Sequence, residues 1–404
     1  MNQLLQTLKP YPFEKLRLEL AGIVPNADLR PVNLSIGEPK HATPAVITDA
    51  LTSNLAGLSA YPATAGLPAL RQVMAAWLKR RHQLANIDAL TQVLPVNGSR
   101  EALFAFAQTV LSPKSDSDNW VISPNPFYQI YEGAALLAGC KPYYIEQAAN
   151  NQFRCDWKSI PQSVWQNTQL LFVCSPGNPT GSVMPQSEWN LLFELSKRYG
   201  FIIASDECYS EIYFDEATPP LGALKAAENF GLTDYKRLVI FSSLSKRSNV
   251  PGMRSGLVAG DEELIKAFLL YRTYHGSAMS QTIQHASIAA WNDEAHVIDN
   301  RAAYKAKFDA ITESVAKYLP CTMPEAGFYL WAKVPANICN GDDIELVKQL
   351  FQHQNLLLLP GSLLGREVDG HNPGKGFVRL ALVEKLSDCI EGAARIENFI
   401  QNTI

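Results

Sequence analysis

Four clusters of polar residues in this 404-residue chain combine side chains that carbonyl chemistry requires. Pro176-Gly177-Asn178-Pro179-Thr180-Gly181 follows the apolar run LLFVCS, and Asp206-Glu207-Cys208-Tyr209 follows FIIAS. Ser243-Leu244-Ser245-Lys246 ends the run LVIFS, and Pro251-Gly252-Met253-Arg254-Ser255 leads into GLVAG. Taken singly, each has an ordinary reading. An Asn-Pro-Thr-Gly sequence is most often only a turn, an aspartate can cap a helix, and a lone lysine usually sits in solvent. Taken together, a turn amide, an acid, a phenol, a lysine and an arginine each border a separate buried strand. In an open α/β sheet, groups at the carboxyl ends of strands converge on one crevice. A carbonyl cofactor with a ring nitrogen and a phosphate would use that whole set.

The elements that must position these groups read as follows. QVLPV (92–96), WVISP (120–124), LLFVCS (170–175), FIIASD (201–206), LVIFSS (238–243) and GLVAG (256–260) are short apolar runs of the kind that form fully buried strands. Helical patterns lie between several of them, such as EALFAFAQTVL with Ser99 as its N-cap, and SEWNLLFELSKRYG. Strands alternating with helices predict a mostly parallel sheet covered on both faces. After about residue 290 a long polar helical stretch leads to GFYLWAKV, DDIELVKQLFQHQ, LLLLPG and GFVRLALV, which reads as a smaller α+β unit. Residues 1–45 are Pro-rich and irregular. The expected organisation is an N-terminal segment (1–45) packing with the small domain, a large domain (46–290) and a small C-terminal domain (291–404).

Composition removes several function classes. A net charge of −4 gives no positive field to recruit nucleic acid or an anionic membrane. The longest run of Leu, Ile and Val, Leu356 to Leu359, is far short of a bilayer span, and the N-terminus lacks the basic start and apolar stretch of a secretion signal. The seven cysteines are scattered without a CxxC pair, as buried thiols of a reducing compartment would be. A cytoplasmic protein is expected. Charged residues make up only 18% of the chain, a low share that a partner-covered surface would explain. No GxGxxG follows a strand, the tract Gly370–Gly376 lacks the spacing of a phosphate loop, and the histidines show no ligand pairs, so no metal is expected.

The motifs SLSK with PGMRSG, SPGNPTG and SDECYSEIYF resemble those of fold-type I pyridoxal-phosphate aminotransferases of class I/II, from LSIGEP (34–39) to GFVRLAL (376–382). YPFEKLR, LSIGEPKH, VLPVNGSREALFAFAQ and AFLLYRTYHG are most similar to the succinyldiaminopimelate aminotransferases of bacterial lysine synthesis. The resemblance implies pyridoxal 5′-phosphate joined to Lys246 as a Schiff base, with Asp206 keeping the pyridine nitrogen protonated. It implies Asn178 and Tyr209 at the ring hydroxyl oxygen and Tyr128 stacked on the ring. The phosphate would lie among Ser243, Ser245, Arg254 and the backbone of Gly98, Ser99 and Arg100. Tyr61 would reach the cofactor of a second subunit, in a homodimer with shared active sites. Arg379 would hold the substrate α-carboxylate, with Gly37 supplying a backbone donor. Lys40, Arg100, Arg272 and His275 are candidates for the distal carboxylate. The implied reaction is ping-pong transamination of N-succinyl-2-amino-6-oxopimelate by glutamate.

Three rivals share parts of this reading. An aspartate, aromatic or kynurenine aminotransferase, or a carbon–sulfur lyase, would use the same cofactor set. A regulator using an aminotransferase-like domain as a sensor would carry an added DNA-binding segment, and only some 45 residues precede the large-domain elements.

Overall fold

A computed structural model describes residues 1–114 and 118–403 of the chain. Its thirteen strands, among the described residues, are β1 (Val32–Asn33), β2 (Val93–Val96), β3 (Trp120–Asn125), β4 (Lys141–Ala148), β5 (Arg154–Cys155), β6 (Thr168–Cys174), β7 (Ile202–Asp206), β8 (Leu238–Ser243), β9 (Gly256–Gly260), β10 (Tyr329–Lys333), β11 (Leu356–Leu357), β12 (Leu359–Pro360) and β13 (Phe377–Ala381). Eight of them form one sheet in the order β2-β9-β8-β7-β6-β3-β4-β5. β8, β7, β6, β3 and β4 run parallel, whereas β9 is antiparallel to both its neighbours.

Apolar runs without alternation are buried on both faces, as covered parallel strands must be. Every residue of β8 and of β9 is buried. On one face Phe106 packs edge-on against Phe241 and Phe268. On the other, Trp165 stacks on Phe201, and Trp189 lies in the same cluster as Leu171 and Ile203. The register sets Cys174 of β6 beside Asp206 of β7, and Asp206 beside Phe241 of β8. The chain therefore leaves three adjacent strands at one edge of the sheet, and the polar clusters begin there.

A second core lies around the antiparallel sheet β10-β13-β12, packed with Phe308, Ile311, Leu346, Leu350 and Ile396. The N-terminal segment joins it: β1 pairs in parallel with β11, and Leu16 and Leu34 enter its apolar cluster. The polar stretch after residue 290 is one helix, Ala295–Ala316.

One local expectation needs correction. Ser99 does not cap its helix. The helix Ser99–Val110 is capped by Gly98, which has φ 87° and ψ 152°, while Ser99 is already helical. LLLLPG forms the two short pieces β11 and β12, which pair with different partners, β1 and β13.

Candidate active site

At the carboxyl edge of the large sheet a cavity of about 770 Å³ is lined by Ser99, Arg100, Tyr128, Asn178, Asp206, Tyr209, Ser243, Ser245, Lys246, Arg254 and Arg379. These residues come from separate stretches of chain. Their convergence follows from the sheet order, which brings β6, β7 and β8 side by side.

Lys246 lies in the short helical turn Leu244–Arg247 directly after β8. Ser243 caps that turn by accepting the amide of Ser245 at 3.1 Å. The Lys246 Nζ donates to the carbonyl of Gly37 at 2.9 Å. Burial pushes its pKa down to about 8, and the charges of Arg100, Arg379 and Arg254 push the same way. A neutral amine is the nucleophilic form, so this environment prepares Lys246 to attack a carbonyl.

Asp206 is buried at the end of β7 and accepts from the Tyr131 hydroxyl at 2.8 Å and from the Cys208 amide at 3.2 Å. Burial raises its pKa above the usual carboxylate range, and those hydrogen bonds oppose the rise. Tyr131 sits three residues after Tyr128, and the rings meet edge to face at 5.8 Å. Tyr209 is buried, its pKa raised well above the ordinary value chiefly by that burial, and its hydroxyl lies 3.1 Å from that of Tyr329. It therefore stays a protonated donor.

Arg379 projects from β13 into the same cavity and is only 3% exposed. Its Nη1 donates to Asn178 Oδ1 and its Nη2 to the Ser35 carbonyl, both at 2.9 Å. The guanidinium lies 4.1 Å from the centre of the Tyr329 ring. Its Nε is buried and without a partner. Because Asn178 accepts through oxygen, its amide group is left to donate. Gly37 packs flat on Tyr329: a Cβ there would stand 2.0 Å from the phenol oxygen.

Of the remaining sequence candidates, Gly98 lies beside Arg254, where a Cβ would come within 2.2 Å of Nη2. Arg100 donates through Nε to the Tyr128 hydroxyl at 2.6 Å. Tyr61 is fully exposed and does not line this cavity. Three candidates for a distal carboxylate fall away. Arg272 is buried and spent on Glu101, 2.7 and 2.8 Å from its two oxygens. Lys40 pairs with Glu38 in solvent, and His275 stacks on Tyr271, both outside the cavity lining. Tyr11, Tyr131 and Tyr329 belong to the site although no role was expected of them; Tyr11 opens the YPFEKLR segment.

The donor set fits pyridoxal phosphate. Among the described residues, none of Arg100, Arg254, Arg379 and Lys246 is ion-paired, so the cavity is left with cationic groups for phosphate and carboxylate. The N-terminus of the helix Ser99–Val110 opens onto it beside Ser243 and Ser245, which suits an anion. A buried carboxylate opposite supplies the partner for a ring nitrogen.

Comparison with known proteins agrees. Residues 30–389 match the family model for class I and II aminotransferases. The chain is 53% identical to a crystallised aminotransferase from Neisseria meningitidis, with a TM-score of 0.94 over 98% of this chain and 99% of that one. Aminotransferase AspB from Helicobacter pylori is 34% identical, with a TM-score of 0.87 over 98% and 99% of the two chains. LL-diaminopimelate aminotransferase of Nitratidesulfovibrio vulgaris is 30% identical over 399 residues, 97% of each chain. The residues gathered at the sheet edge and the match along most of the chain agree: this protein belongs to the class I and II aminotransferases, pyridoxal-phosphate enzymes of the fold-type I architecture.

Proposed function

We propose that the chain transaminates N-succinyl-2-amino-6-oxopimelate with glutamate, giving N-succinyl-LL-diaminopimelate and 2-oxoglutarate, as a cytoplasmic homodimer. The observation that carries transamination is the meeting of a half-buried lysine, a buried aspartate and a buried arginine in one cavity. The diaminopimelate class is supported by the named relatives and by Arg100, a cation at the cavity with no carboxylate of its own.

Pyridoxal phosphate, when bound, supplies an electron sink for charge developing at the substrate Cα. The protein's own groups do the rest. Asp206 holds a proton on the ring nitrogen, and the Tyr209 hydroxyl and the Asn178 amide donate to the ring oxygen. Ser243, Ser245, Arg254 and the backbone at Gly98, Ser99 and Arg100 would hold the phosphate, and Tyr128 would pack against the ring. Arg379 grips the α-carboxylate with its two-pronged fork, aided by the Gly37 backbone. That grip sets the Cα proton within reach of the Lys246 Nζ, which removes it and returns it elsewhere as general base and then acid. Tyr61 of a second copy completes the phosphate site. The division at 45 and 290 is kept as part of this reading; residue 290 lies in the last turn of the helix Gln281–Asn292, shortly before the helix Ala295–Ala316.

A second reading, free LL-diaminopimelate as substrate, is favoured by the names of the relatives at about 30% identity. Comparing kcat/KM for N-succinyl-LL-diaminopimelate, LL-diaminopimelate and aspartate, each with 2-oxoglutarate, separates the two. Preference for the succinylated compound supports the first. Preference for the free diamine replaces it with the second, and preference for aspartate removes both.

A further inference from the structure

Behind the cavity wall, a line of polar side chains connects the backbones that carry the two principal cations. Lys307, 2% exposed on the helix Ala295–Ala316, donates through Nζ to the carbonyls of Leu382 at 3.1 Å and Val383 at 3.3 Å, just past the end of β13. β13 is the strand that carries Arg379. The same Nζ lies 2.6 Å from Nε2 of His41. Nδ1 of His41 lies 2.7 Å from Oδ1 of Asn300, which is 3% exposed. Asn300 in turn donates through Nδ2 to the carbonyls of Lys246 at 3.2 Å and Arg247 at 3.4 Å.

The partners decide the state of the imidazole. Two backbone carbonyls fix which end of the Asn300 amide is nitrogen, so its oxygen faces His41 and also accepts from Asn249 Nδ2 at 3.0 Å. An oxygen opposite Nδ1 requires a proton there, and an ammonium opposite Nε2 requires a lone pair there. His41 is thus a neutral Nδ1–H tautomer, one donor and one acceptor in series. The remaining neighbour is the ring of Tyr304, 4.6 Å away, and burial together with the Lys307 charge disfavours the imidazolium.

His41 also ends the segment Ser35–His41, which touches both reactive side chains: the Ser35 carbonyl accepts from Arg379 and the Gly37 carbonyl from Lys246. We propose that His41 is a positioning residue that, through Asn300 and Lys307, fixes the separation between the lysine that must reach the substrate Cα and the arginine that holds its carboxylate. A misplacement of about 1 Å at such a pair can cost a hundredfold in rate. This inference rests on the transaminase reading for its kinetic part only.

The test has two arms. In cofactor-free protein labelled with ¹⁵N-histidine, His41 should resonate as the neutral Nδ1–H tautomer at pH 6.5; an Nε2–H tautomer or an imidazolium would overturn the proposal regardless of any activity. In the glutamate half-reaction, His41→Phe keeps a ring against Tyr304 but loses both nitrogens. It should lower kcat at least tenfold with KM changed less than threefold, and His41→Gln, which retains a donor and an acceptor, should recover part of the loss. A His41→Phe variant with the wild-type kcat would contradict it, as would equal losses in the two variants. Wild-type protein that does not react with glutamate would instead remove the amino donor assigned above, leaving the tautomer result to stand or fall alone.

Discussion

Arg379, buried, and Lys246, half-buried, share a predicament: among the described residues neither cation is ion-paired to a carboxylate. For Lys246 the result is a proton lost near pH 8 rather than near 10.5. Because the neutral amine is the nucleophile, covalent capture of added pyridoxal phosphate by the apo protein should speed up as pH rises and level off above about 8. The same shift means the unfolded chain keeps a proton the folded one has lost between pH 8 and 10.5, so this residue's contribution to apo stability should rise with pH across that window. Borohydride trapping at a series of pH values measures the first; a midpoint near 10 would show that burial does not act as described. For Arg379 the fork matters as well as the charge. Arg379→Lys keeps the cation but loses the contacts to Asn178 and Ser35, and should cost about 3 kcal/mol, roughly a hundredfold in kcat/KM for every amino donor. Arg379 was legible through the resemblance of FVRLAL to the family's motif; it lines the cavity. Arg272 misled because its partner, Glu101, lies far away in sequence, and only packing shows that its charge is already spent.

At the level of elements, the strands that end at the site were readable because they are unbroken apolar runs bounded by glycine or serine. β8 and β9 span the residues that their runs suggested. β4 escaped because, beyond β3, it is paired only at its end by the two-residue β5, and several of its residues are half-exposed, so KPYYIEQA carries no clean apolar run. The helix opening at Ser99 was misread by one residue: a serine is the commoner cap, but the chain enters at φ 87° and ψ 152°, a region that only glycine occupies freely. The absence of a side chain at Gly98 is what lets Arg254 lie against the turn. Gly98→Ala should therefore strain the backbone by about 1–3 kcal/mol and displace Arg254, weakening pyridoxal phosphate binding at least tenfold. Equilibrium dialysis of apo protein measures this, and unchanged affinity would place the phosphate elsewhere.

For the molecule as a whole, one expected site residue lies outside the site. Tyr61 is entirely exposed, on a stretch that also exposes Leu55 and Leu58, while Leu270 and Tyr274 are bare on the helix Glu262–His275. Apolar surface of this kind is what the proposed homodimer would cover. Sedimentation should find dimers, and Tyr61→Phe should weaken cofactor binding although its side chain is fully exposed in its own chain. Loss of affinity in a variant that sediments as a monomer would trace the effect to assembly instead. The overall architecture was legible because alternating strands and helices admit few arrangements, whereas the preferred acceptor was not, because the residues that grip a distal group are set by packing at the cavity rim. The central claim, transamination in which Lys246 moves the Cα proton, is tested most directly by stoichiometry in a single turnover. Wild-type protein loaded with pyridoxal phosphate and given glutamate alone should release one equivalent of 2-oxoglutarate per chain and then stop, while Lys246→Ala releases essentially none at the same rate. Continued release without an oxo acid, or a full equivalent at wild-type speed from Lys246→Ala, would contradict it.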